Sequence, residues 1–210
     1  MQPFHVLLAE SAAAHGHLCP GQVVGVRMAL LGCRLIGLDE PRRREQIKRL
    51  IVYVEMDRCT ADAVAQVTGV RLGRRSLKFA DYGIMAATFV RLDTGAAFRI
   101  ISTEDARDLC ELYAPGIEDK VARQIAAYKR MPDSVLFQVQ QVRVPLSELE
   151  LPGPTRSKVV CVRCGQVVRD GKQVNSPQGL LCKPCGQGAY FSDPRLVAWE
   201  DMNWRPEEEG

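Results

Sequence analysis

The sequence predicts a core of mixed helices and strands followed by a small zinc ribbon, and three observations carry that expectation. Pro20 and Gly21 open a long apolar run, Val23 to Leu38, that reads as a buried helix. Leu50-Ile51-Val52-Tyr53-Val54-Glu55-Met56 is short, apolar and β-branched, the composition of a buried strand. Past Leu151-Pro152-Gly153-Pro154-Thr155, where proline and glycine interrupt all periodicity, come Cys161-Val162-Arg163-Cys164, then seventeen residues, then Cys182-Lys183-Pro184-Cys185. The expected modules are therefore residues 1–150 and 151–210.

Composition narrows the class. A chain of 210 residues can hold one good core and a small second module, and 46% hydrophobic with 25% charged residues is an ordinary soluble balance. A net charge of +3 is too small to argue for nucleic acid. Met1 to His5 lacks the basic region of a secretory signal, and Val6 to Ala9 is too short for its apolar core. Arg27 and Arg34 interrupt the longest apolar run, so no membrane span is expected. The expected location is cytoplasmic, where eight cysteines indicate metal or redox chemistry before disulfides.

In chain order, Val6 to Ala14 reads as a short helix leading into His15-Gly16-His17-Leu18-Cys19-Pro20-Gly21. The apolar helix follows and ends before Pro41, and Arg42-Arg43-Arg44-Glu45 reads as a solvated connector. After the first strand, Thr60 to Val67 reads as a helix with Thr60 as its N-cap, Asp62 in its first turn and Gly69 beyond its end. Strands are expected around Leu77–Ala80, Ile84–Leu92 and Ala96–Ser102, the last two joined by the Asp93-Thr94-Gly95 turn. Glu104 to Tyr113 and Glu118 to Arg130 have helical composition. Leu136 to Val144 alternates in part, as a strand with one wet face does.

The two Cys-x-x-Cys pairs have the spacing of a four-thiolate zinc site. Two intervening residues let one tight turn aim both sulfurs at one ion, and Gly165 and Gly186 follow the pairs where the backbone must curl. Four sulfurs close a tetrahedron, so Cys161, Cys164, Cys182 and Cys185 are expected to hold a structural zinc that supplies folding free energy to a module with little core of its own. The ribbon carries seven lysines and arginines between Arg156 and Arg195 against Asp170 and Asp193. That scattered excess favours a structural or protein-contacting ribbon, and nucleic acid is not the expected partner.

Cys33, Cys110 and His5 are read as packing residues, because free cysteine is usually buried and inert. The cluster of His15, His17 and Cys19 is harder to assign to packing. Two histidines and a cysteine within five residues, with Cys19 at or beside a helix N-cap, suit a metal or a reactive thiol. Cys59 also falls just before a helix and at the C-terminal end of a strand, where ligand and catalytic groups gather.

In these residues the chain resembles the FmdE family, the E-type component of formylmethanofuran dehydrogenase. The resemblance rests on His15 to Gly21, Cys59-Thr60-Ala61-Asp62-Ala63, Thr68-Gly69, Asp81-Tyr82-Gly83 with the Ala-Ala-Thr-Phe strand after it, and the C-terminal cysteine pairs. It implies an α+β fold of helices packed on a mixed, largely antiparallel sheet, a homodimer, and an appended zinc ribbon. It also implies a core metal pocket made by His17, Cys19 and Cys59, with His15 as an alternate ligand. The chain departs from the family pattern at Val70, where a cysteine is expected, at Gly73-Arg74-Arg75 in place of Gly-Lys-Gly, and at Ile84 in place of a lysine.

The expected protein has a closed zinc ribbon and a second divalent or soft metal, zinc first among the candidates, in a partly open core site. Cys59, Asp62 and Asp81 are the candidate catalytic groups, for redox-linked or metal-assisted chemistry. The rival from another class is a non-catalytic metal carrier or assembly factor for a metalloenzyme partner. A zinc-ribbon regulator that binds nucleic acid comes third.

Overall fold

The computed structural model describes residues 1–198 and divides the chain into two units, Met1–Gly153 and one that begins at Pro154. The division falls inside the Leu151–Thr155 stretch. Trp199, Trp204 and the acidic Glu207–Glu209 lie outside the described residues.

The first unit opens with α1 (Phe4–His15) and α2 (Pro20–Leu35). Gly16 takes the left-handed conformation at φ 98°, ends α1 and reverses the chain. Pro20 sits at the start of α2 with Cys19 as N-cap, as the sequence predicts. That helix ends at Leu35, three residues before the expected Leu38, and the side chain of Arg91 donates to the carbonyls of Ile36 and Gly37 beyond it. A short helix, α3 (Arg44–Ile47), occupies part of the supposed connector.

Five strands follow, β1 (Leu50–Val54), β2 (Leu77–Phe79), β3 (Ala86–Arg91), β4 (Ala97–Ser102) and β5 (Phe137–Gln141). They form one sheet in the order β2-β1-β3-β4-β5. Only β1 and β2 run parallel, because α4 (Cys59–Thr68) crosses over between them. The other pairs are antiparallel, with Val52 opposite Phe89 and Phe89 opposite Phe98. The expected turn joins β3 to β4, with Gly95 at φ 73°. The fold is therefore α+β with a mixed, largely antiparallel sheet.

Strand alternation separates the sheet's two faces. Val52, Val54, Ala87, Phe89 and Ile100 are buried in one cluster with Val23, Val26, Ala29 and Val64 of the helices. Ile51, Val90 and Ala97 point the other way and are covered by Val142, Val144, Leu146 and Leu151. The expected strand to Val144 thus stops at Gln141, and the chain beyond it becomes a cover for the sheet. On this second face Glu55, only 4% exposed, forms a bidentate ion pair with Arg99, both contacts being 2.7 Å.

Four further helices complete the unit, α5 (Asp105–Asp108), α6 (Cys110–Tyr113), α7 (Lys120–Arg130) and α8 (Asp133–Leu136). The single helix expected over Glu104–Tyr113 is broken at Leu109. Arg27, a charge inside apolar α2, donates to the Tyr128 carbonyl of α7 at 2.6 Å and pairs with Asp133 at the start of α8. Its charge therefore joins three helices.

The second unit contains two small hairpins, β6 (Lys158–Val160) with β7 (Val167–Arg169) and β8 (Val174–Ser176) with β9 (Gly179–Leu181), followed by α9 (Lys183–Gln187). This is the architecture of a small ribbon. Among the described residues no helix is long and apolar enough to cross a membrane.

Candidate metal centres

The cysteine group of the ribbon is the simpler of the two. Cys161, Cys164, Cys182 and Cys185 each present a sulfur, and all four lie within 4.8 Å of one another. Cys161 precedes a tight turn in which its carbonyl accepts from Gly165, a residue at φ 72°. Gly186 follows the second pair in the same curl, donating to the Cys182 carbonyl at 3.0 Å. Its φ is not positive, and a Cβ there would lie 3.1 Å from the Cβ of Val174, so its smallness serves packing. Backbone N–H groups of Cys182, Cys164 and Arg163 stabilise the Cys161 thiolate and bring its pKa down to about 6, while hydrogen bonding to Cys182 pushes Cys185 up. One thiolate is thus formed in advance in a group whose sulfurs one ion could bridge.

The second group begins at the end of α1. His15 is the last residue of that helix, and Gly16 turns the chain so that His17 follows with its ring 5.0 Å from that of His15. Cys19 caps α2 in an extended conformation, and its carbonyl accepts from Gln22 and Val23. One donor atom from each of His15, His17 and Cys19 lies within 4.8 Å of the others. His17 is exposed, and His15 and Cys19 are half-buried.

Cys59 stands outside that mutual group, with its thiol neighbouring that of Cys19. Burial pushes its thiol up, and the neighbouring Cys19 thiol and the Asp62 charge act in the same direction. Cys59 is the first residue of α4, whose N-cap is Arg58. The expected cap, Thr60, instead donates its hydroxyl to the Gly21 carbonyl at 3.3 Å. Tertiary contact with α2 has taken the hydroxyl away from the local cap.

Small residues allow the two helices to meet. A Cβ on Gly21 would lie 2.9 Å from the Cβ of Cys59, and one on Gly25 would lie 2.6 Å from that of Ala63. Gln22, fully buried within the apolar helix, donates to the Cys59 carbonyl at 2.8 Å and accepts from the Ser11 hydroxyl. A polar chain therefore fixes α1, α2 and α4 together beneath the cysteines. Sequence reasoning missed Gln22, although a glutamine between Gly21 and Val23 of an apolar helix was a visible signal.

Asp62 contacts His15 Nδ1 at 2.9 Å, from 47 residues further along the chain. Asp81 is exposed after β2 and makes no hydrogen bond or ion pair with this group. Cys33 and Cys110 are buried in the core as packing residues, burial pushing Cys33 up to about 12 and also raising Cys110. His5 is an exposed residue of α1.

A helix-covered mixed sheet, a histidine–cysteine group between two helices and a four-cysteine ribbon define a protein with two potential metal centres. Residues 14–138 match the family described as FmdE, Molybdenum formylmethanofuran dehydrogenase operon, and the chain belongs to that family. It is similar to a protein of Archaeoglobus fulgidus described as a probable S-adenosyl-L-methionine-binding protein, with 24% identity over 206 residues, covering 89% of this chain and 54% of the relative. The chain thus spans about half the length of that curated relative. Its fold is shared with the crystal structure of a tungsten formylmethanofuran dehydrogenase FmdE-like protein from Syntrophus aciditrophicus, at a TM-score of 0.58 and 19% identity, covering 90% of this chain and 94% of that one.

Proposed function

We propose that the first unit is a metal-assisted catalytic domain with zinc at the His15–His17–Cys19 group, and that the ribbon holds a structural zinc. The observation that carries this reading is the mutual approach of those three donors to within 4.8 Å beside a fourth, Cys59. Imidazole and thiolate together form the borderline-soft set that zinc favours. A metal bound there would supply Lewis acidity and make a bound water more acidic.

The remaining residues prepare that chemistry. Asp62, by accepting Nδ1–H, fixes the tautomer of His15 in which Nε2 carries the lone pair. Asp62 is thereby assigned to orienting His15 rather than to acid–base work. The sequence places Cys59 among the ligands, and its contact with Cys19 supports a role as either ligand or neighbouring reactive thiol.

Metal analysis of the purified chain tests this reading. Two metals per chain are expected, one lost in Cys19→Ser and the other in Cys161→Ser. A single metal insensitive to Cys19→Ser rejects the core site. Cys59→Ser separates the two roles of that residue, because a ligand loss lowers metal content whereas a thiol role leaves it intact.

The exposure of His17 favours a second reading, a carrier that passes metal to a metalloenzyme. Rapid transfer of the core metal to a competing chelator supports it, and a metal retained through many exchanges supports catalysis.

A further inference from the structure

The opposite end of α4 from Cys59 carries a second concentration of charge, about 15 Å away by the rise of a ten-residue helix. Arg42 donates from Nε to the carbonyls of Gln66 and Val67 at 3.0 and 3.2 Å. Arg71 donates from Nη1 to those of Ala65 and Val70 at 2.9 and 3.0 Å. The carbonyl end of the helix therefore holds two guanidinium groups in place. Glu10 takes one Nη of Arg42 at 2.7 Å.

Two adjoining depressions, of about 490 and 280 Å³, share Arg42, Ile47 and Arg74 in their walls. The larger adds Arg44 and Lys48, and the smaller adds Arg71. No carboxylate lines either. The side chains of Arg44, Lys48 and Arg74 are exposed and make no hydrogen bond or ion pair among the described residues. Like charges gathered this way repel one another unless an anion lies between them.

We infer that this surface binds a small molecule carrying two or more phosphate groups. Guanidinium forks match phosphate oxygens in pairs, and Arg42 and Arg71 are already oriented by their carbonyl contacts. Five cations spread over two depressions exceed what one phosphate can engage. Ile47 and Pro152 offer an apolar surface for the organic part of such a ligand. A single-stranded nucleic acid fits less well, since no aromatic side chain lines either depression to stack a base. The inference does not rest on the metal reading of the Cys19 group.

Calorimetric titration of the full, metal-loaded chain with inorganic tripolyphosphate, and separately with ATP, tests it at a salt concentration of about 0.15 M, where loose surface attraction is screened. One saturable site is expected, weakened about tenfold or more by Arg74→Glu and again by Arg44→Glu with Lys48→Glu, as loss of charge-assisted pairs requires. Thermal denaturation and metal content of each variant should match the parent, since these side chains are exposed. Absence of binding overturns the inference, as does binding that vanishes at this salt or that charge reversal leaves unchanged. Binding of a single-stranded oligonucleotide that tripolyphosphate cannot displace overturns it in favour of nucleic acid.

Discussion

Gly21 and Cys59 touch because one of them has no side chain: a Cβ on Gly21 would stand 2.9 Å from the Cβ of Cys59. Four residues on, Gly25 meets Ala63 and the Thr60 carbonyl in the same way. The approach of α2 to α4, and with it the contact of Cys19 with Cys59, depends on this strip of bare backbone. Gly21→Ala is expected to part the two cysteines and to reduce metal bound by the first unit while the ribbon keeps its own. Metal content per chain, with Cys161→Ser as background to isolate the core site, reads the effect.

Gly25→Ala should act on stability more than on the site. Its new methyl would meet the Ala63 Cβ at 2.6 Å and the Thr60 backbone at 2.7 Å, and neither can move without shifting α4. Overpacking of this kind costs about 1–3 kcal/mol. Urea denaturation should show a lower midpoint with an unchanged slope.

Gly32 presents the same problem against a ring. A Cβ there would lie 2.3 Å from Phe89, the buried aromatic at the centre of β3. Gly32→Ala is expected to destabilise the fold by about 1–3 kcal/mol. Phe89→Leu on the same chain should recover part of that loss. A double-mutant cycle gives the coupling, and strict additivity would contradict direct contact.

Glu55 and Arg99 form a bidentate pair on the sheet face that the 142–151 segment covers. The Glu55 side chain is 5% exposed, so Arg99→Met would leave a buried carboxylate without its partner. Breaking a buried pair from one side costs about 3–5 kcal/mol. Replacing both residues by apolar ones should restore much of it, and equal losses in the single and double variants would contradict this account.

Cysteine reactivity in metal-free protein should be unequal. The backbone N–H groups around Cys161 bring its thiol down to about 6, but that residue is buried whereas Cys164 is exposed, so labelling should begin at Cys164 and reach Cys161 more slowly. As pH falls through about 6 the Cys161 thiolate gains its proton and its labelling rate should drop. Cys33, buried and raised to about 12, should stay unlabelled until the chain unfolds. Mass spectrometry after timed iodoacetamide exposure checks all three.

The features legible in the sequence are local in the chain. The ribbon's cysteines announce themselves by spacing, and His15, His17 and Cys19 lie within one short stretch around a helix start that Pro20 marks. The fold class is equally legible, since β-branched runs, a turn at Gly95 and an apolar helix each have short-range signatures. Expectation and structure part where distant contacts compete with local preference. Thr60 gives its hydroxyl to Gly21 in place of capping α4, and Leu109 interrupts a helix that composition alone would continue.

The sequence by itself determined the candidate donors, the Pro20 start of α2 and the alternation that sorts the sheet's two faces, because each depends on residues a few positions apart. Only the tertiary structure decided that Asp62 reaches His15 from 47 residues away, that Gly21 admits Cys59, and that Arg42, Arg44, Arg71 and Arg74 gather at one end of α4. Those relations arise from the close packing of helices, and close packing is fixed by steric contacts that no single stretch of the chain contains.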